Sequence, residues 1–173
     1  MSDDIRSTRR RLAVLVATGV ALAIVGVTVL AHVSMGLTAV VVDGRSMLPT
    51  LQSGDLVFVV RVPPTQIEVG DVIVYRFTGN FYGYYLGNVL IIHRVIYIYY
   101  HNGTLCFVTK GDNNALPDPG YPQYCGYVEV NGTMVSGVPY SLVLGEVVGG
   151  ERPIAIPYIG SLSLELRPQP GVT

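Results

Sequence analysis

The sequence predicts a mainly β protein: a single N-terminal transmembrane helix followed by an antiparallel β domain. Three observations predict it. Residues 12–42 carry no charge and contain a 22-residue apolar run, Leu12–Val33. Beyond that run, short stretches rich in Val, Ile, Tyr and Phe alternate with Gly, Pro, Asn and Asp clusters, the pattern of strands and turns. Half of the 173 residues are hydrophobic and the net charge is −1, which excludes a disordered chain.

Charge is low throughout. Only 13% of residues are charged, against roughly 25% in ordinary soluble domains. The apolar run does not account for this, because residues 43–173 hold ten acids and seven basic residues in 131 positions, again 13%. That excess of acids, with no basic stripe, argues against a nucleic-acid partner.

At about 1.5 Å per residue, Leu12–Val33 is long enough to cross the hydrocarbon core of a bilayer. Arg6, Arg9, Arg10 and Arg11 precede it and outweigh Asp3 and Asp4, so the positive-inside rule keeps the N-terminus in the cytoplasm. A cleaved secretory signal is the alternative: Ala21-Leu22-Ala23 offers a small-x-small site, but an h-region of roughly 7–15 residues is shorter than this run. The expected organisation is a cytoplasmic N-terminus (1–11), an anchor (12–33), an extracytoplasmic β-rich domain (34–165) and a loose Pro-rich tail (166–173). Asn102-Gly103-Thr104 and Asn131-Gly132-Thr133 are glycosylation sequons, and Cys106 and Cys125 either form a disulfide or remain two buried thiols.

In the body, strands are expected over Thr38–Val42, Leu56–Val62, Val72–Phe77, Val89–Tyr100, Thr104–Lys110, Tyr127–Val130, Thr133–Val135 and Leu142–Val148. Gly79–Gly87, with Tyr82–Tyr85, reads as a surface loop. Asn102-Gly103 and Asn131-Gly132 are strong hairpin turns. A two-residue turn at Asn102-Gly103 pairs His101 with Thr104 and Tyr97 with Val108. Continued without a bulge, it pairs Val95 with Lys110 and His93 with Asp112, which sets an imidazole beside a carboxylate.

Nucleophilic catalysis needs a hydroxyl or thiol, a base and a group that orients the base. Outside the apolar run the histidines are His93 and His101, and Lys110 is the only lysine of the chain. His101 lies at a turn tip. His93 sits in an apolar run, where a carboxylate on one ring nitrogen would leave the other free to accept a proton. Ser46 follows Gly44 and precedes a Pro-Thr turn. No Cys/His cluster, His-Glu-x-x-His pattern, EF-hand or phosphate-binding Gly pattern is present, so no metal or cofactor is expected.

Together these residues resemble type I signal peptidases, more closely the archaeal and ER branch than the bacterial one. The resemblance rests on Ser46-Met47-Leu48-Pro49-Thr50, Gly54-Asp55, Gly70-Asp71 through Tyr75, His93-Arg94-Val95, Lys110-Gly111-Asp112-Asn113-Asn114 with Asp118 following, and Ile156-Pro157-Tyr158-Ile159-Gly160. It implies a signal-peptidase-like antiparallel β domain behind a single anchor. The implied activity is a membrane-bound serine endopeptidase that removes signal peptides from exported preproteins, with membrane lipid and secretion machinery as its surroundings.

Ser46 matches the family nucleophile and His93 the base of this branch. Asp112 and Asp118 match its two functional acids. The register above favours Asp112 as the partner of His93, with Asp118 supporting the site or serving as the alternative partner. Gly44 and Met47 are expected to bind substrate. The Ser46 backbone N–H suits one oxyanion bond; bacterial relatives add a serine hydroxyl two positions earlier, which here is Gly44. Only 12 residues separate Val33 from Ser46, which keeps the nucleophile within about 45 Å of the apolar run. Apolar surface is expected to gather beside Ser46. The competing readings are a Ser–Lys variant using Lys110, a non-catalytic membrane-anchored β-domain of the same fold, and an unrelated cell-surface β-domain.

Overall fold

The computed structural model describes residues 14–27 and 36–160. The chain divides into two compact units, Met1–Leu37 and Thr38–Thr173. In the first unit the described residues form helix α1, residues 14–27, exposed along its length. Among the described residues no helix is long and apolar enough to cross a membrane. The expected span 12–33 runs past both ends of α1, and its ends, the Arg6–Arg11 cluster and the tail 166–173 lie outside the described residues.

Among its described residues the regular structure of the second unit is mostly strand. The strands are β1 (Thr38–Val41), β2 (Leu56–Val60), β3 (Val72–Phe81), β4 (Tyr84–His101), β5 (Thr104–Lys110), β6 (Val128–Val130), β7 (Thr133–Val135), β8 (Val138–Pro139), β9 (Val143–Val147) and β10 (Ala155–Ile156). A short α-helix, α2 (Pro122–Cys125), and two 3₁₀ turns (Pro64–Gln66 and Tyr140–Leu142) interrupt them. The main sheet has the order β1-β2-β9-β3-β4-β5-β8, with β10 also on β2, while β6 and β7 form a separate hairpin. Every pairing is antiparallel.

Strand β3 shows why the sheet has two cores. Val72, Ile73, Val74 and Tyr75 are all buried, and successive side chains point to opposite faces. Val72 and Val74 join Met47, Leu51 and Val57 on one side; Ile73, Tyr75 and Phe77 join Val95 and Phe107 on the other. A strand covered on both faces reads as a continuous apolar run, as this one does.

The expected loop at Gly79–Gly87 is corrected: β3 and β4 continue through it as a ribbon. Phe81 pairs with Tyr84 across a Tyr82-Gly83 turn, and a bulge between Phe77 and Gly79 absorbs the irregularity. The aromatic residues favour strand pairing and the glycines supply the bulge and turn, so the segment extends the sheet.

Both Asn-Gly turns form as expected, with positive φ at Asn102, Gly103, Asn131 and Gly132. From the first turn His101 faces Thr104 and Tyr97 faces Val108. A bulge then falls between Val95 and Tyr97, so Val95 faces Thr109 and Arg94 faces Lys110. This one-residue shift overturns the expected pairing of Val95 with Lys110 and of His93 with Asp112. Cys106 and Cys125 form a disulfide that ties β5 to α2.

Candidate active site

Ser46 lies on the connection from β1 to β2, and two kinds of restraint hold it. Met47 and Leu51, 1% and 0% exposed, plug the connection into the core, and the Leu51 N–H donates to the Met47 carbonyl at 2.9 Å. The second restraint comes from the turn after β5. The Asn113 backbone N–H donates to the Ser46 carbonyl at 2.7 Å, and Asn113 Nδ2 donates to the Arg45 carbonyl at 3.1 Å. The Met47 side chain is thus packed in the core, which leaves its backbone as the part that could meet a substrate. Gly44 has φ of +113° and open space where a side chain would stand, a conformation that favours glycine beside the serine.

His93 and Asp118 are buried together, 3% and 2% exposed. Asp118 Oδ2 lies 2.6 Å from His93 Nδ1. The same oxygen accepts from the Tyr75 hydroxyl at 2.8 Å and the Thr109 hydroxyl at 2.7 Å. The Asp118 N–H donates to the Thr109 carbonyl at 2.8 Å, which fixes the backbone of the acid against β5. Burial, and then the Asp118 carboxylate, pushes the Tyr75 phenol well above its ordinary range, so it stays a proton donor. With Nδ1 facing a carboxylate, Nε2 is the nitrogen left to accept a proton.

Asp112 stands elsewhere than the expected register put it. Its Oδ1 accepts from Arg94 Nε at 2.8 Å, and its Oδ2 accepts from Arg94 Nη2 at 2.7 Å and the Thr50 hydroxyl at 2.5 Å. Arg94 Nη1 also donates to the carbonyls of Gly70 and Glu151 at 2.6 and 2.8 Å. Asp112 is therefore a brace that joins the connection carrying Ser46 to β4. Burial alone would raise its pKa. The Arg94 and Thr50 hydrogen bonds and the neighbouring positive charge outweigh that and hold its carboxyl below the ordinary value.

Ser46 and His93 meet at Gly111. A Cβ built on Gly111 would lie 2.6 Å from the Ser46 carbonyl oxygen, 2.9 Å from His93 Nε2 and 2.8 Å from Asn114 Nδ2. Only a glycine leaves room for the three groups to converge. Ser46, His93 and Asn114 line one groove of about 880 Å³, whose walls include Val40 and Val41 of β1, Val74 of β3, and Phe81, Leu86 and Val89 through Ile92 of the ribbon. The expected apolar surface beside Ser46 is present in these walls.

The structure thus brings Ser46, His93 and Asp118 to one place and assigns Asp112 to Arg94. Lys110 Nζ donates to the Asn114 carbonyl at 2.8 Å, and Lys110 does not line the groove, which disfavours it as the base. Sequence reasoning gave no role to Tyr75, Thr109, Arg94, Gly111 or Asn114. All but Thr109 lie in the short boxes quoted above, and that was the available signal. Among the described residues no group of His, Cys, Asp and Glu is arranged to hold a metal ion.

A buried acid–imidazole pair opening on an apolar groove beside a restrained serine, on a β scaffold, has the arrangement of serine peptidases. Comparison with known proteins agrees. The Peptidase S24-like family matches residues 25–88, a stretch that includes Ser46 and ends before His93. The signal peptidase complex catalytic subunit SEC11C of Homo sapiens is 30% identical over 133 residues, covering 76% of this chain and 58% of that protein; the mouse protein aligns equally well. The signal peptidase complex catalytic subunit SEC11 of Scheffersomyces stipitis is 37% identical over 81 residues, covering 47% of this chain and 44% of that protein. By sequence the chain is similar to these signal peptidase complex catalytic subunits. It spans 58% of the length of the SEC11C proteins it matches.

Proposed function

We propose that the protein is a membrane-anchored serine endopeptidase that removes N-terminal signal peptides from exported preproteins. The observation that carries this reading is the convergence of the Ser46 backbone carbonyl and His93 Nε2 on Gly111, with His93 Nδ1 bonded to a buried Asp118. Ser46 Oγ attacks the carbonyl carbon of the scissile peptide while His93 Nε2 takes its proton. As the tetrahedral intermediate collapses, His93 passes that proton to the departing amine. Water, deprotonated by His93, then attacks the acyl-serine, and His93 returns that proton to Ser46 Oγ as the C–O bond breaks and the signal peptide leaves with a free carboxylate. Asp118 holds the imidazole in the required tautomer and stabilises the imidazolium that forms. Asp112 acts at one remove, through Arg94 and Thr50.

The peptide is read in extended form. Among the described residues strand β1 pairs only with β2, so its outer edge has backbone groups available for an added strand. It borders the groove that Ser46 and His93 share. Apolar walls suit the small and apolar residues of a signal peptide near its cut site. In this reading residues 12–33 cross the membrane, residues 1–11 stay in the cytoplasm, and the β domain from residue 34 works outside it near the lipid surface.

The test is cleavage of a radiolabelled preprotein by purified full-length protein in lipid–detergent micelles. Wild type is expected to release one product cut just after a small residue. Ser46→Ala and His93→Ala are each expected to abolish it. Full cleavage by Ser46→Ala would sink the assignment, and absence of cleavage by wild type on several preproteins would favour a binding role.

A further inference from the structure

The attacked carbonyl oxygen becomes an anion in the tetrahedral intermediate, and such anions are stabilised by hydrogen-bond donors already in place. Ser46 N–H provides one donor. The position two residues earlier is Gly44, which has no side chain to provide another.

A side-chain amide stands at the same convergence. Asn114 Nδ2 would touch the same Gly111 Cβ position as His93 Nε2 and the Ser46 carbonyl, and Asn114 lines the groove with both residues. Its backbone is fixed at both ends: the Asn114 N–H donates to the Gly111 carbonyl at 2.9 Å, and the Asn114 carbonyl accepts from Lys110 Nζ at 2.8 Å. The adjacent Asn113 bonds the turn to the carbonyls of Arg45 and Ser46, so amide and nucleophile are held in one frame. The side-chain amide of Asn114 has no hydrogen-bond partner among the described residues. A half-buried, unused donor on a rigid turn, facing the groove beside the nucleophile and base, suits a group whose partner arrives with the substrate.

We propose that Asn114 is a catalytic residue: its side-chain N–H donates to the oxyanion of the tetrahedral intermediate and completes the pair begun by the Ser46 N–H. The proposal rests on the serine-peptidase reading of the site. It gives Lys110 a positioning part, since its ammonium fixes the Asn114 backbone. Ser53, whose hydroxyl accepts a long 3.4 Å bond from the Gly44 N–H, is the rival donor, but it does not line the groove.

The experiment compares steady-state cleavage by wild type, Asn114→Ala, Asn114→Asp and Ser53→Ala. The aspartate variant keeps the size of the side chain while removing the donor, which covers any loss of folding in the alanine variant. Both Asn114 variants are expected to lower kcat by about 10²-fold or more, the scale for one oxyanion donor, with KM within about threefold. Binding of a peptide aldehyde, whose hemiacetal with Ser46 mimics the intermediate, is expected to weaken in parallel. The alanine variant is expected to keep the wild-type midpoint in its pH profile, because Asn114 does not act through His93.

Retention of kcat within threefold by both Asn114 variants would overturn the proposal. So would a loss confined to KM, a shifted pH midpoint in the alanine variant, or a kcat loss produced by Ser53→Ala instead. If Ser46→Ala is inactive while the Asn114 variants cleave normally, the amide assignment fails alone. If Ser46→Ala cleaves normally, the serine-peptidase reading fails and the amide assignment with it.

Discussion

Replacing Asp118 by asparagine changes the charge at the buried centre of the site and very little else. Asp118 Oδ2 accepts three bonds, from His93, Tyr75 and Thr109, while Oδ1 is buried and has no hydrogen-bond partner among the described residues. An asparagine can keep its carbonyl at the Oδ2 position and turn its NH₂ to the Oδ1 position, where no partner is lost. The fold should therefore survive. The carboxylate that stabilises an imidazolium is gone, and a hydrogen bond to a charged group contributes about 1.5–3 kcal/mol. The ring also loses the charge that selects its tautomer. For the Asp→Asn change in a serine-protease triad the combined cost is about 10⁴ in kcat, or about 5.5 kcal/mol of barrier. We expect a fall between about 10² and 10⁴ in kcat for Asp118→Asn, with an unfolding midpoint near that of wild type.

The assay is single-turnover cleavage of the preprotein with enzyme in excess, which isolates the chemical step. Asp112→Asn is the matched control. It removes the same charge from the carboxylate that serves Arg94 and Thr50, and it is expected to cost less than about tenfold in the same step. The reasoning fails if Asp118→Asn cleaves within threefold of wild type. It also fails if the Asp112 variant is the more damaged of the two, since that would return the orienting role to Asp112.

Two further predictions follow from the same site. Gly111→Ala puts a methyl group 2.6 Å from the Ser46 carbonyl oxygen and 2.9 Å from His93 Nε2, so activity should fall at least about 10²-fold by displacement of the turn; cleavage and thermal unfolding measured together check this, and near-normal cleavage would refute the convergence. Asp112 has a folded pKa below its unfolded value of about 3.9, so its contribution to stability is complete above that pH and is lost as the pH falls through the folded value. Melting from pH 7 to pH 2.5 should show wild type losing more stability than Asp112→Asn in the window below about pH 4, and parallel curves would contradict the brace.

Much of this arrangement was legible because local chemistry fixes it. Asn-Gly turns specify their hairpins, and the Val- and Ile-rich run from Val72 marks a strand. Other parts rest on information that no short stretch carries. The bulge near Ile96 adds one residue to an otherwise regular strand, and nothing in Val95-Ile96-Tyr97 marks it, yet it decides which residue His93 faces. Asp118 lies past Pro117, beyond the reach of any strand register, and tertiary folding alone brings it to His93. Met47 sits beside the nucleophile in sequence, but the core claims its side chain. The Gly/Tyr segment between Phe77 and Val89 carries turn and strand signals at once, and pairing with its own hairpin partner decides between them.

The separation of these residues along the chain has a consequence for the order of events during synthesis. Ser46 leaves the ribosome early, but its carbonyl is fixed by Asn113 and its base by Asp118, both made far later. Contacts so distant in sequence form late, because the intervening chain must first close into its sheet. A nascent chain that stops short of Asp118 carries the nucleophile and the base without the frame that aligns them. On the serine-peptidase reading, proteolytic competence is tied to completion of the turn after β5.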